Sequence, residues 1–187
     1  MDVFNVYIGF MEDGSVQMYE LGDYIVYGNH GVCRVEDIGI LNITGVDDSI
    51  VCYTLQPVFS KASTLYTPVN NDKVSMRKVI SSEEAQELID RIPQIPLLKI
   101  ECDKQREDVY KEALKKHNCM DWVKIIKTLY ARRQERLAQG KKLTFTDEKY
   151  LNIARDFLFG ELSIAMEMDK DEVENLVMER LEQYNTV

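Results

Sequence analysis

Long apolar runs are missing from this 187-residue sequence, and so is any cysteine and histidine spacing that would hold a metal. No window approaches the roughly 20 apolar residues that cross a bilayer, and no basic start leads into an apolar stretch. Both absences point to a cytoplasmic chain. The four cysteines, Cys33, Cys52, Cys102 and Cys119, are far apart and form no CxxC pair. With only His30 and His117 beside them, a zinc-type set cannot be built from neighbours. Core or half-buried thiols in a reducing compartment are expected, with no cofactor. There is no Gly-rich phosphate loop, no GxSxG and no HExxH. His30 falls in a turn, and His117 and Cys119 mark a helix junction. No catalytic constellation can be assembled, so the chain is not expected to be an enzyme. Basic excess is missing too. The formal net charge of −9 excludes a protein that coats nucleic acid by bulk charge.

What is present is an ordinary 45% hydrophobic content, divided between two periodicities. Residues 1 to about 80 read as β. Tyr24–Tyr27 is a β-branched and aromatic run stopped by the turn residues Gly28-Asn29-His30-Gly31. Val32–Ile38 alternates as a half-buried strand does. A hairpin connection is expected over Gly39–Ser49, then strands over Ile50–Leu55 and Ser63–Val69. Pro57 and Pro68 favour strand ends or an edge. From Ser81 the period turns helical. Ser81 and Glu84 form a capping-box pattern that opens a helix to Arg91. A second helix is expected over Lys99–Lys116. A third is capped by Asp121, with a stripe of Val123, Ile126, Leu129, Tyr130 and Leu137, and ends at Gly140. A fourth is opened by Thr144 or Thr146, with Leu151, Ala154, Leu158, Leu162 and Ala165 in register. A fifth is capped by Asp169, with Val173, Leu176, Val177 and Leu181 as its stripe. The fold class is therefore α+β: a small SH3/Tudor-like barrel over 18–80, then a helical bundle over 81–187. Residues 1–17 form an extension of uncertain status.

Charge is unevenly spread. Residues 1–80 hold 5 Lys/Arg against 10 Asp/Glu. Residues 124–155 hold nine bases against three acids. Arg132, Arg133 and Arg136 crowd one helix end, Lys141 and Lys142 follow in the loop, and Lys149 lies beyond. Such an end can meet successive phosphates, each neutralised charge releasing a counterion. No base-reading motif accompanies it, so the contact is expected to be sequence-tolerant. The bland alternative is a solvated helix face.

Leu21-Gly22-Asp23-Tyr24-Ile25-Val26-Tyr27-Gly28-Asn29-His30-Gly31-Val32 resembles the opening signature of the CarD/CdnL family of bacterial transcription regulators. Leu129 to Arg136, Glu148-Lys149-Tyr150-Leu151 with Ala154-Arg155, and Gly160-Glu161-Leu162 resemble, in that order, segments of the family's second half. The resemblance implies an N-terminal domain on the β subunit of RNA polymerase. It also implies a helical domain on promoter DNA at the upstream edge of the melted region, acting on open-complex stability. By position, Thr64, Leu65, Tyr66, Thr67 and Pro68 match the strand laid against polymerase. Arg132, Arg133, Arg136, Lys141, Lys142 and Lys149 are the expected DNA contacts. Two positions depart from the pattern. Asp103 stands where many members place a wedging tryptophan, and Tyr66 stands where a basic residue is common. The one tryptophan, Trp122, is read as core. A protein-interaction adaptor without DNA contact is the alternative reading. An RNA-binding barrel fits poorly with an acidic N-terminal half.

Overall fold

The computed structural model describes residues 19–41, 50–60 and 63–184. The extension 1–17 and most of the expected hairpin connection, residues 42–49, lie outside the described residues.

Tyr24–Tyr27 (β1) becomes the sheet's interior because its residues suit burial on both sides. Ile25 and Tyr27 enter one core with Tyr19, Cys33, Val35, Tyr53 and Leu55, while Val26 enters another with the helices. Val32–Ile40 (β2) returns antiparallel after a turn in which Gly31 takes φ 70°, a value that L side chains resist. Val51–Pro57 (β3) pairs with β2, Leu65–Pro68 (β4) with β3, and Met76–Lys78 (β5) with β1. The order is β4-β3-β2-β1-β5, every pair antiparallel. Between Val35 and Asp37 the β2–β3 register slips, so Glu36 is the extra residue and Ile38 turns back toward the sheet's own core. Both expected prolines sit where a lost N–H costs least: Pro57 ends β3, and Pro68 is on an edge strand.

Three expectations for this half are adjusted. β2 runs on to Ile40, so Gly39 belongs to a strand paired with Cys52 rather than to a turn. β5 was not foreseen, because Met76-Arg77-Lys78 has no apolar alternation and becomes a strand only by pairing with β1. The architecture is a five-stranded antiparallel sheet; among the described residues no ladder joins β4 to β5.

The helices are Ser82–Arg91 (α1), Arg106–Lys115 (α2), Cys119–Ala138 (α3), Phe145–Met166 (α4) and Lys170–Tyr184 (α5). The α1 capping box is formed as expected: Ser81 Oγ accepts from Glu84 N at 3.1 Å and Glu84 Oε2 from Ser81 N at 2.8 Å. The second helix starts seven residues later than expected. Pro96 precedes it, and Leu98 N donates to Thr128 Oγ1 of α3 at 2.9 Å, holding that segment as an extended strap. Asn118, not Asp121, caps α3; its side chain accepts from Asp121 N at 2.9 Å. Thr144 caps α4 by accepting from Asp147 N at 3.2 Å. Asp169 N donates to Glu172 Oε2 at 3.2 Å where α5 begins.

The helices and one face of the sheet share an interior. Val26 and Val32 belong to the same buried cluster as Ile89, Tyr110, Trp122, Ile126, Leu158 and Val177. Trp122 is fully buried, its ring centroid 5.3 Å from that of Phe157, as a core residue should be. Leu137 leaves the expected stripe and is 51% exposed. At Gly160 of α4 a Cβ would come within 3.0 Å of the Phe59 ring, so glycine is what lets the chain after β3 press against α4. No helix among the described residues is long and apolar enough to cross a membrane.

Candidate functional site

Two surfaces and one buried seam organise the charged and polar residues. The first surface is the β4 edge. Among the described strands, β4 is bonded to β3 alone. Val69 N donates to Val51 O at 3.0 Å. Antiparallel ladders alternate bonded and non-bonded pairs, so Thr54–Tyr66 and Cys52–Pro68 are the non-bonded ones. The N–H and C=O of Tyr66 therefore point to the open edge. Pro68 has no N–H to offer, and its carbonyl accepts from Asn71 N at 3.0 Å. Side chains alternate accordingly. Thr67 is 2% exposed and Leu65 packs on the sheet's core, whereas Tyr66 is 51% exposed and Pro68 is also outside. Thr64 Oγ1 donates to Gln56 Oε1 at 3.1 Å.

The second surface is the junction of α3 and α4, and here the nine bases separate into two groups. Four are committed inside the protein. Lys127 is buried and donates to the carbonyls of Ile92, Pro93 and Ile95 at 2.9, 2.8 and 2.7 Å. Lys124 pairs with Asp121 at 3.1 Å, and Arg155 pairs with Glu174. Arg132 Nε donates to Asp147 Oδ2 at 3.1 Å, with Asp103 3.9 Å from its other end. Asp147 has no exposure and also accepts from Arg106 Nη1 at 3.2 Å. Burial pushes its pKa up, but the bond from Thr144 and the Arg132 and Arg106 charges outweigh that and hold the carboxyl below its ordinary value. Asp103 in turn holds Arg106 at 2.8 Å. The position expected to carry an aromatic is thus the outer anchor of an arginine pair.

The other five bases, Arg133, Arg136, Lys141, Lys142 and Lys149, have no carboxylate within 4 Å among the described residues. Arg136 Nε donates to Lys142 O at 2.6 Å and Lys141 N to Arg136 O at 2.8 Å, which folds the loop back on α3. Lys149 lies 5.3 Å over the Tyr150 ring. Arg133, Lys142 and Arg155 rim a groove of about 400 Å³ floored by Leu137, Leu143 and Leu151.

The seam joins sheet to bundle. Arg77 of β5 forms a bidentate pair with Glu161 of α4 and donates through Nε to His117 O at 2.7 Å. Glu161 also accepts from Ile80 N at 3.1 Å and from Cys119 Sγ at 3.0 Å. Arg77 stands 5.6 Å over the Trp122 ring. Burial raises the Cys119 thiol well above its ordinary value, and burial alone pushes Cys33 up to about 12, so neither is a ready nucleophile. Cys102 is exposed, unlike the other three cysteines, and none forms a disulfide. Nothing in the strand-poor run around Arg77 announced this seam. Glu161 was visible in the sequence as part of the Gly160-Glu161-Leu162 motif, but without its partner.

Residues 19–80 match the family model described as CarD-like/TRCF RID domain, and residues 101–178 match the one described as CarD, C-terminal domain. The chain belongs to the CarD family. A search of curated proteins gave no significant match. The two matches fall on the sheet and on the helices from just before α2 into α5. CarD-family domains are those of transcription factors that interact with RNA polymerase.

Proposed function

We propose that this CarD-family protein binds the β subunit of bacterial RNA polymerase through the β4 edge and contacts promoter DNA through the α3–α4 junction. The consequence is a changed stability of the open complex, in the cytoplasm, without an enzymatic step. The polymerase-binding unit is 18–80, read as a small SH3/Tudor-type barrel, and the DNA-contacting unit is 81–187. The observation that carries this reading is a family match in both halves combined with an edge strand, β4, that among the described residues is bonded on one side only. A partner strand added to β4 meets Tyr66 N–H and C=O, and the outward Tyr66 side chain supplies selectivity. On the DNA side, Arg133, Arg136, Lys141, Lys142 and Lys149 are available to phosphates, while Arg132 contributes by fixing the helix end rather than as a free charge.

The test is capture of purified RNA polymerase by the full chain, with Tyr66→Pro and Tyr66→Glu variants beside the wild type. Tyr66→Pro removes the edge N–H and leaves every β3–β4 bond in place. Retention by the wild type and loss by both variants supports the β4 contact; equal retention by all three puts polymerase elsewhere. A wild type that holds polymerase but no DNA at low salt leaves the adaptor reading.

A further inference from the structure

We infer that the groove between α3 and α4 is a binding site for a small monoanionic amphiphile, an aliphatic carboxylate, whose occupancy competes with DNA for Arg133 and Lys142. The competition rests on the DNA-contacting role proposed for that junction; the site itself does not. The observation that calls for an occupant is the leucine floor. Arg133, Leu137, Lys142, Leu143, Leu151 and Arg155 line one groove of about 400 Å³, at the small end of the range for ligand pockets. Phosphates would engage the cations, but a phosphate backbone leaves the three leucines between them uncovered. Leu151 is 9% exposed and Leu143 is half-buried, both packed on the helical core, whereas Leu137 stays 51% exposed at the groove. An apolar body laid on that floor takes leucine surface out of water.

The rim sets the charge of that body. Arg133 and Lys142 are exposed and have no carboxylate within 4 Å among the described residues. Arg155 is paired with Glu174 and adds no net charge, while Glu148 sets one acid against the two remaining cations. The rim thus carries a single net positive charge, which matches a carboxylate and disfavours a dianionic phosphate. Asn152 completes the lining with an amide donor. The walls are preformed. Gly140 takes φ 70°, Lys141 N donates to Arg136 O at 2.8 Å, and Arg136 Nε donates to Lys142 O at 2.6 Å. The loop that carries Lys142 and Leu143 is thereby folded onto α3, and Thr144 caps α4 directly after it. An occupant loses mainly its own freedom, because the groove needs no ordering. The surroundings bound its size. On α3 the neighbours Gln134, Glu135 and Gln139 are exposed and polar, so no apolar strip continues far enough for a partner helix.

The experiment titrates the full chain with octanoate below its micelle concentration. Butyrate, 1-octanol and inorganic phosphate serve as probes of a shorter body, of no charge and of a second charge. Amide NMR shifts locate the binding, and calorimetry gives the affinity. The expected result is saturable octanoate binding, with shifts centred on residues 133–143 and 148–155. Butyrate and 1-octanol each bind about tenfold more weakly. Arg133→Ala/Lys142→Ala lowers octanoate affinity by about tenfold and leaves 1-octanol unaffected. Leu137→Gln also weakens octanoate; all three substituted side chains are exposed, so unchanged thermal midpoints confirm the fold. Saturating octanoate weakens binding of a DNA duplex at low salt. Shifts that do not saturate, shifts centred elsewhere, or equal affinity in wild type and both variants overturn the site. Tighter binding of phosphate than of octanoate, or a response to anionic vesicles alone, overturns it too. Octanoate binding with DNA affinity unchanged overturns the competition. DNA binding without octanoate binding overturns this inference and leaves the DNA role standing. Octanoate binding by a chain that holds no DNA overturns that role, and the competition with it, but not the site.

Discussion

Arg77 of β5 and Glu161 of α4 are 84 residues apart in sequence and form a bidentate ion pair across the seam between sheet and helices. Glu161 has no exposure, and the Arg77 side chain retains 25%. A buried pair contributes modestly against an apolar replacement, but removing one partner strands the other. Glu161→Ala is expected to cost about 3–5 kcal/mol of stability, because it leaves the Arg77 charge, Ile80 N and the Cys119 thiol without their acceptor. Trp122 lies under Arg77, so its fluorescence during urea unfolding reads the loss directly. An unchanged midpoint would show that the seam is not held by this pair.

Asp147 predicts an acid limit. Its folded pKa lies below the ordinary 3.8, so its contribution is fully present above that value and is lost as pH falls through the lower, folded one. Asp147→Asn is expected to weaken the protein at neutral pH and to flatten the fall in stability below about pH 4. Unfolding curves of wild type and variant from pH 7 to pH 3 test both halves of this statement.

Arg132 and Arg133 are neighbours with opposite fates. Arg132→Glu places a second acid against buried Asp147 and is expected to destabilise the fold. Arg133→Glu combined with Lys142→Glu should leave the thermal midpoint nearly unchanged, since neither side chain is bonded to a carboxylate or carbonyl among the described residues. The same double variant should lower the salt slope of DNA affinity by about 0.9 for each lost phosphate contact. A salt slope equal to that of the wild type would remove this face from the DNA interface.

Lys127→Met leaves three carbonyls, of Ile92, Pro93 and Ile95, without their shared donor. A loss of about 3 kcal/mol is expected from unsatisfied buried acceptors, measured by chemical denaturation. The result separates Lys127 from the charge surface to which its place in the sequence assigns it.

Gly160→Ala brings a Cβ to within 3.0 Å of the Phe59 ring. The ring must move, so faster amide exchange is expected at the end of β3 and in its continuation, with α3 unaffected. Exchange that is unchanged at β3 would show that the ring shifts freely.

The local rules of this chain were legible without its tertiary structure. Short apolar runs bounded by turn residues, with alternation in β2, marked β1 to β4, the capping box at Ser81 and Glu84 marked α1, and Gly140 marked the end of α3, because those signals act over a few residues. The order of the family's motifs was equally readable, being linear. What tertiary structure alone decided were partners distant in sequence. β5 exists through β1, the late start of α2 follows from the Leu98–Thr128 bond, and Arg77 meets Glu161 across the seam. The same applies to the basic stretch. Composition counted nine charges, but Lys127 and Arg132 are spent on carbonyls and on Asp147. A residue's type fixes which bonds it can make, and only packing determines which of its polar atoms lose water and must make them.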